Sequence, residues 1–344
     1  MKLSQMYFKK IPKVELHRHL EGSMRVDTLM EIARLHGITL PLQSGLRALV
    51  QIQPEEPLNY SVFLSKFQTL RLFYRSPEVI ARITREAIED ASLDGIYYLE
   101  LRFSPFALSC VGGFHIKDIF SWVCEAASQS SVDFQLPTRL IVTINRQEPI
   151  EITRQVLQIA AEYQSMGVVG VDLAGNETEY PTIPYLPLFK EARAAGLHTT
   201  IHAGEWGGAD NIREAIEIFQ ADRISHGVRI MEDPSVIALA RERGTVFEVC
   251  ITSNYQTGII PALADHPLNR MLMAGLNVTI NTDDPSISNI TLGNEYQVAV
   301  KELGLPKSIL GERIMAAIKA AFLPADEKIK LAKHIQSDLR RFTT

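Results

Sequence analysis

The sequence predicts an α/β protein, a (β/α)8 TIM-type barrel with extra helices inserted after the first strand. Three observations lead there. After residue 95, short β-branched runs alternate with longer segments of helical period, the pattern of βα units feeding a parallel sheet. Eight strand-like runs can be counted. Polar and ionisable residues gather at the C-terminal ends of those runs, where barrel enzymes carry their chemistry.

The expected strands are 13–20, 95–105, 138–146, 168–175, 198–205, 223–228, 245–254 and 277–285. Between them lie helix signals. Ser76-Pro77-Glu78 can cap and open a helix whose apolar face is Ile80, Ile83, Ala87 and Ala91, ending before Gly95. Asp233-Pro234 opens another, which stops near Gly244; Gly167, Gly196 and Gly275 follow helical runs in the same way. Eight strands with seven connections and a helical tail favour a closed barrel over an open doubly wound sheet. The connection between strands one and two is too long for an ordinary βα loop. It should hold extra helices such as 26–36 and 59–74. We therefore expect one domain over 1–344, with a helical lid insertion at about 24–94 across the barrel mouth.

Composition narrows the function. The 344 residues are 46% hydrophobic and 22% charged, the profile of a globular chain. Thirty-five Lys+Arg against 40 Asp+Glu give a net charge of -5 with the signs interspersed. Neither a nucleic-acid backbone nor an anionic membrane finds a basic face, so the partner expected is a small molecule. The N-terminal MKLSQMYFKKIPKVE lacks the apolar stretch of a signal peptide, and no run approaches the ~18 apolar residues of a membrane helix. A cytoplasmic location is expected, with Cys110, Cys124 and Cys250 reduced in the core. The sequence does not fix an oligomeric state.

His17-Arg18-His19 closes the first strand, and alternation at period two puts both imidazoles on one face. In a barrel that face is the interior, where paired imidazoles suit a divalent metal. Alone, the pattern is weak evidence and more often marks two hydrogen-bonded histidines at a strand end. The other strand ends change the balance: His202 and Glu205 end strand five, His226 ends strand six, and Asp283 and Asp284 end strand eight. His17, His19, His202 and Asp283 would make a ligand set for Zn2+ with a position left for water, whose pKa such a metal lowers to about 7. Glu205 could then move a proton between water and substrate, and His226 could hold or deprotonate the attacking hydroxide. His36, His115, His198, His266 and His334 lie away from this rim and read as surface or capping residues. Glu100 and Arg102, two apart in an apolar strand, are expected to pair with each other.

KVELHRHLEGS at 13–23, ELRFSP at 100–105, DLAGNE at 172–177, HAGE at 202–205, SHG at 225–227, TSNYQTG at 252–258 and NTDDP at 281–285 together resemble the adenosine deaminase family, the mononuclear zinc nucleoside deaminases of the amidohydrolase superfamily. The resemblance runs nearly end to end. It implies a catalytic barrel holding one zinc per chain on His17, His19, His202 and Asp283. It further implies that Glu205 protonates purine N1 while the hydroxide, oriented by His226, attacks C6. Asp284 would meet N7, the Gly175 backbone N3, and Phe63, Leu64 and Phe67 would form an apolar lid. His19 and Glu21 would also line the substrate site. The expected reaction is hydrolytic deamination of adenosine, 2′-deoxyadenosine or a close 6-aminopurine nucleoside. One departure is Glu21, where adenosine-specific members carry Asp toward the ribose 5′-hydroxyl. It keeps an aminodeoxyfutalosine or adenine deaminase as the alternative. Two other classes are weighed: a binuclear metal hydrolase, for which strand four offers no bridging lysine, and a non-catalytic relative, which would be expected to lack a ligand or Glu205.

Overall fold

The computed structural model describes residues 2–39 and 43–343, so part of the expected 24–94 insertion, residues 40–42, lies outside them. Eight parallel strands follow one another in sequence order: β1 (Lys13–His19), β2 (Ile96–Phe103), β3 (Thr138–Asn145), β4 (Val168–Ala174), β5 (His198–Ala203), β6 (Arg223–His226), β7 (Val246–Val249) and β8 (Asn277–Ile280). Helices connect them, which is the (β/α)8 barrel. The seam between β8 and β1 closes by a different device from the other seven. Leu16 N–H donates to the Asn281 side chain (3.0 Å), His19 N–H to Asp283 O (2.8 Å) and Asp283 N–H to His17 O (2.9 Å). Closure therefore delivers Asp283 directly to the two histidines of β1.

The helix signals act as their chemistry requires. Ser76 accepts from Val79 N–H at the start of Pro77–Leu93, whose Ile80, Ile83, Ala87 and Ala91 are buried. Asp233 caps Pro234–Arg243, and Gly244 ends it at φ +64°, a left-handed conformation that favours glycine. In the insertion the expected helix at 26–36 is Val26–His36, and that at 59–74 is Tyr60–Leu70 followed by a 3₁₀ turn, Arg71–Phe73. Asn59 caps the second through Val62 N–H (2.9 Å). The helix Gln43–Val50 and an N-terminal helix, Lys2–Lys10, are additional to the expected elements.

Several expectations need correction. Strands seven and eight end at Val249 and Ile280, short of 254 and 285. Beyond them the polar residues Ser253, Asn254 and Asp283 turn inward to bond one another and the histidines, so the ladder gives way to a short helix (Ile251–Gln256) and to a loop. Glu100 and Arg102 do not pair. Two residues apart on a strand, they stand about 7 Å apart along it, in successive interior layers, and each finds a partner across the barrel. Glu100 meets Arg223, while Arg102 meets Glu248 (2.6 Å) and Asp172 (3.1 Å). His266 is buried rather than superficial, and Cys110 is exposed rather than in the core. Among the described residues, no helix is long and apolar enough to cross a membrane.

Candidate active site

Strand polarity sets the site. His17 and His19 point inward from β1, His202 from the end of β5 and His226 from the end of β6; Asp283 and Asp284 follow β8. The His17 ring centroid lies 5.2 Å from His19, 4.9 Å from His202 and 4.9 Å from His226. Asp283 Oδ1 stands 3.1 Å from His17 Nε2 and 3.4 Å from His19 Nε2, while its Oδ2 accepts from Ser253 Oγ–H (2.7 Å). His226 (φ +62°) and Asp283 (φ +68°) both hold left-handed backbone that non-glycine residues rarely adopt. Such strain persists where surrounding contacts over-determine it.

The side chains behind the histidines decide what the rings offer. His17 Nδ1 lies 3.0 Å from Glu248 Oε2, and His202 Nδ1 lies 3.0 Å from Asp172 Oδ1. Burial alone would raise both carboxyls, but Arg102 with Arg223 holds Glu248, and His202 with Arg102 holds Asp172, well below the usual range. An ionised carboxylate only accepts, so each Nδ1 carries the proton and each Nε2 keeps a lone pair aimed at the centre. His17 Nε2 is buried without a hydrogen-bond partner, as a ligand atom awaiting an electrophile would be. Ligand atoms of His17, His202, His226 and Asp283 fall within 4.8 Å of one another, and so do those of His19, Asp172 and His202. Imidazole nitrogens with one carboxylate form a donor set that fits zinc.

Glu205 lies 3.6 Å from His226 Nε2. Burial, then the charges of Asp283 and Glu177, hold its carboxyl well above the usual range. Its loop is pinned by Glu177, which accepts from the N–H groups of Gly204 (3.0 Å), Glu205 (2.7 Å) and Trp206 (2.6 Å). Asp284 is buried beside Asp283, its Oδ1 unpartnered on this chain, and burial followed by Asp283, Glu21 and Glu205 raises its carboxyl in the same way. Gly175 closes β4 at φ +97°, where a Cβ would stand 2.5 Å from Gln147 Oε1.

At the rim, Glu21 accepts from Ser104 N–H (2.6 Å), and Glu148 joins the same group through Ser104 Oγ (3.3 Å) and Asn145 Nδ2 (2.6 Å). Burial raises Glu21 to about 7. The insertion reaches the site through Tyr60, whose ring meets Trp206 at 5.2 Å. Phe63 is buried and contacts Phe67 at 6.5 Å, whereas Leu64 faces outward, 37% exposed. A cavity of about 960 Å3 lies on the opposite side of β1, around Arg18, Arg25 and Asp94, away from these groups.

Residues that sequence reading did not single out are the supports: Glu248, Asp172, Glu177, Ser253 and Asn254. A charged residue at an inward-facing position of an apolar strand, as in Val246–Val249, was the available signal for Glu248.

The adenosine deaminase family model matches residues 12–338. An adenosine deaminase of Klebsiella pneumoniae is 34% identical over 327 residues, 94% of this chain and 98% of that one. Among solved structures, an adenine deaminase from Arthrobacter aurescens superposes with a TM-score of 0.87 at 27% identity, over 96% of this chain and 99% of its own. An amidohydrolase from Burkholderia ambifaria with bound Zn gives 0.89 at 26% identity, over 98% and 94%. With the family model matching nearly the whole chain and curated adenosine deaminases about a third identical over it, the chain belongs to the adenosine deaminase family.

Proposed function

We propose that the chain hydrolytically deaminates adenosine, 2′-deoxyadenosine or a closely related 6-aminopurine nucleoside to the 6-oxopurine and ammonia, with one zinc per chain on His17, His19, His202 and Asp283. The observation that carries this reading is Glu205 standing 3.6 Å from His226 Nε2, with His226 itself grouped with His17, His202 and Asp283. When bound, the metal acidifies a water and supplies the nucleophile. The chain's own residues supply the rest.

A carboxyl whose protonated form is favoured by burial is what attack on an aromatic ring requires. Glu205 gives its proton to N1 as the water oxygen attacks C6, which relieves the charge developing on the ring. It then takes a proton from that oxygen and passes it to the departing amino group. Asp284, whose protonated form burial and Asp283 favour, donates to N7, and the Gly175 backbone addresses N3. Phe63 and Phe67 cover the purine, with Leu64 at the outer edge of the lid, and Glu21 faces the distal end of the substrate.

Glu21 is also the observation behind a second reading, an adenine or modified-nucleoside deaminase such as one acting on aminodeoxyfutalosine. Its carboxylate is engaged by Ser104 N–H and faces Glu148, an acidic rim that does not suit a phosphate. The test is an absorbance screen of zinc-loaded protein against adenosine, 2′-deoxyadenosine, adenine, 5′-substituted adenosines and aminodeoxyfutalosine. Adenosine is expected to give the highest kcat/KM. A higher value for adenine or aminodeoxyfutalosine supports the second reading, and turnover of none of them overturns both.

A further inference from the structure

His226 is wired differently from its neighbours, and the difference traces back to a histidine outside the site. His266 lies in the loop before the helix Leu268–Met273 and is buried, 5% exposed. The backbone N–H of Leu268 donates to its Nδ1 (3.2 Å). A backbone amide can only donate, so Nδ1 of His266 must hold a lone pair. Burial pushes its pKa down to about 3, which keeps the ring neutral and leaves its proton on Nε2.

That Nε2–H faces Asn254 Oδ1 at 3.4 Å. The amide of Asn254 therefore has one permitted orientation, with its NH2 turned the other way, toward His226 Nδ1 at 3.1 Å. Flipping it would set N–H against N–H at His266. Asn254 is fully buried, so water does not offer an alternative partner. His226 Nδ1 is an acceptor, and the proton of its neutral ring sits on Nε2, facing Glu205.

We propose that His266, acting through Asn254, locks His226 in the Nε2–H tautomer and so makes it a fixed hydrogen-bond donor to the attacking oxygen instead of a base or a metal ligand. His266 and Asn254 are positioning residues. The contrast with His17 and His202 is direct: their Nδ1–H groups face carboxylates and their Nε2 lone pairs face the centre. Three imidazoles whose centroids lie 4.9 to 5.1 Å apart are thus divided into two electron-pair donors and one proton donor by what stands behind each. With Nε2 of His226 already protonated, Glu205 is the group that handles protons. The proposal rests on the deaminase reading for its consequence, but the tautomer itself does not.

Long-range 1H–15N spectra of ring-labelled histidine in the zinc-loaded protein read the tautomer without any turnover. The expected result is Nε2–H for His226 and Nδ1–H for His17 and His202; Nδ1–H on His226 overturns the proposal. Absence of deamination with the expected spectrum would instead reject the functional reading alone. Asn254→Asp sets a carboxylate against His226 Nδ1, so the tautomer should reverse and kcat should fall about 10²-fold with KM little changed and zinc retained, the cost of removing one oxyanion donor. Should that variant fail to fold, His266→Leu frees the amide to rotate and should give mixed tautomers with reduced kcat. His266→Gln, whose side-chain N–H can still reach Asn254, should restore both. An unchanged His226 spectrum and unchanged kcat in His266→Leu overturn the proposal.

Discussion

Gly22 and Asp284 meet so closely that a methyl group on Gly22 would stand 1.8 Å from Asp284 Oδ1 and 2.5 Å from its Cβ and Cγ. The 3₁₀ turn Glu21–Ser23 therefore acts as a backstop for the carboxyl proposed to address purine N7. Gly22→Ala should displace that carboxyl while leaving the histidines in place. We expect kcat/KM to fall by about 10²-fold, the scale set by a misplacement of roughly 1 Å. Zinc content should stay at one per chain by elemental analysis. Unchanged kinetics would show that Asp284 does not contact the substrate.

Glu205→Gln tests proton delivery. The amide preserves shape and the Glu177 contacts to the loop backbone, but it cannot give up and recover a proton. We expect a loss of about 10² to 10⁴ in kcat with zinc retained. Near wild-type turnover by a zinc-loaded variant would remove Glu205 from its role.

Metal affinity should be graded by distance from the ion. Asp283→Ala removes a proposed ligand, and the purified protein should lack stoichiometric zinc. Ser253→Ala removes only the hydroxyl that donates to Asp283 Oδ2 (2.7 Å), which orients the carboxylate without touching the metal. A loss of about 10-fold in affinity, measured by competition with a chelator, is expected. Full zinc occupancy in Asp283→Ala would refute the ligand assignment.

The lines of chemistry that the sequence carried openly were those set by local rules. Alternation at period two placed His17 and His19 on one face, and the C-terminal ends of strands located His202, Glu205, His226 and Asp283. The supports behind them were hidden for a physical reason. His17 finds Glu248 across the barrel, 231 residues away in sequence, and Arg102 finds Asp172 and Glu248 on other strands. Such pairings depend on barrel stagger, so a charged inward position such as Glu248 is marked locally but its partner is not. The same stagger explains why Glu100 and Arg102, adjacent on one face, ignore each other. His266 read as peripheral because it stands at no strand end; the chain folds it back behind Asn254, 12 residues earlier.

A buried carboxyl outside the histidine cluster couples stability to pH. Glu295 is buried in the helix Leu292–Lys301, where it accepts from Thr252 N–H (3.1 Å) and from the Thr252 hydroxyl. Burial raises its pKa from 4.5 to about 7. The folded state therefore holds a proton that the unfolded chain releases near pH 4.5. Stability from this group is fully present below that pH and is lost as pH rises toward 7, after which the deficit is constant. The whole shift corresponds to roughly 3 kcal/mol. Glu295→Gln stays neutral throughout and still accepts from Thr252. Urea unfolding of both proteins at pH 5 and pH 8 should show the variant gaining stability relative to wild type at the higher pH. Zinc release on unfolding is common to both and cancels in the difference. Equal pH dependence in the two proteins would mean that Glu295 is ionised in the folded state at pH 5, with the two Thr252 donors outweighing its desolvation.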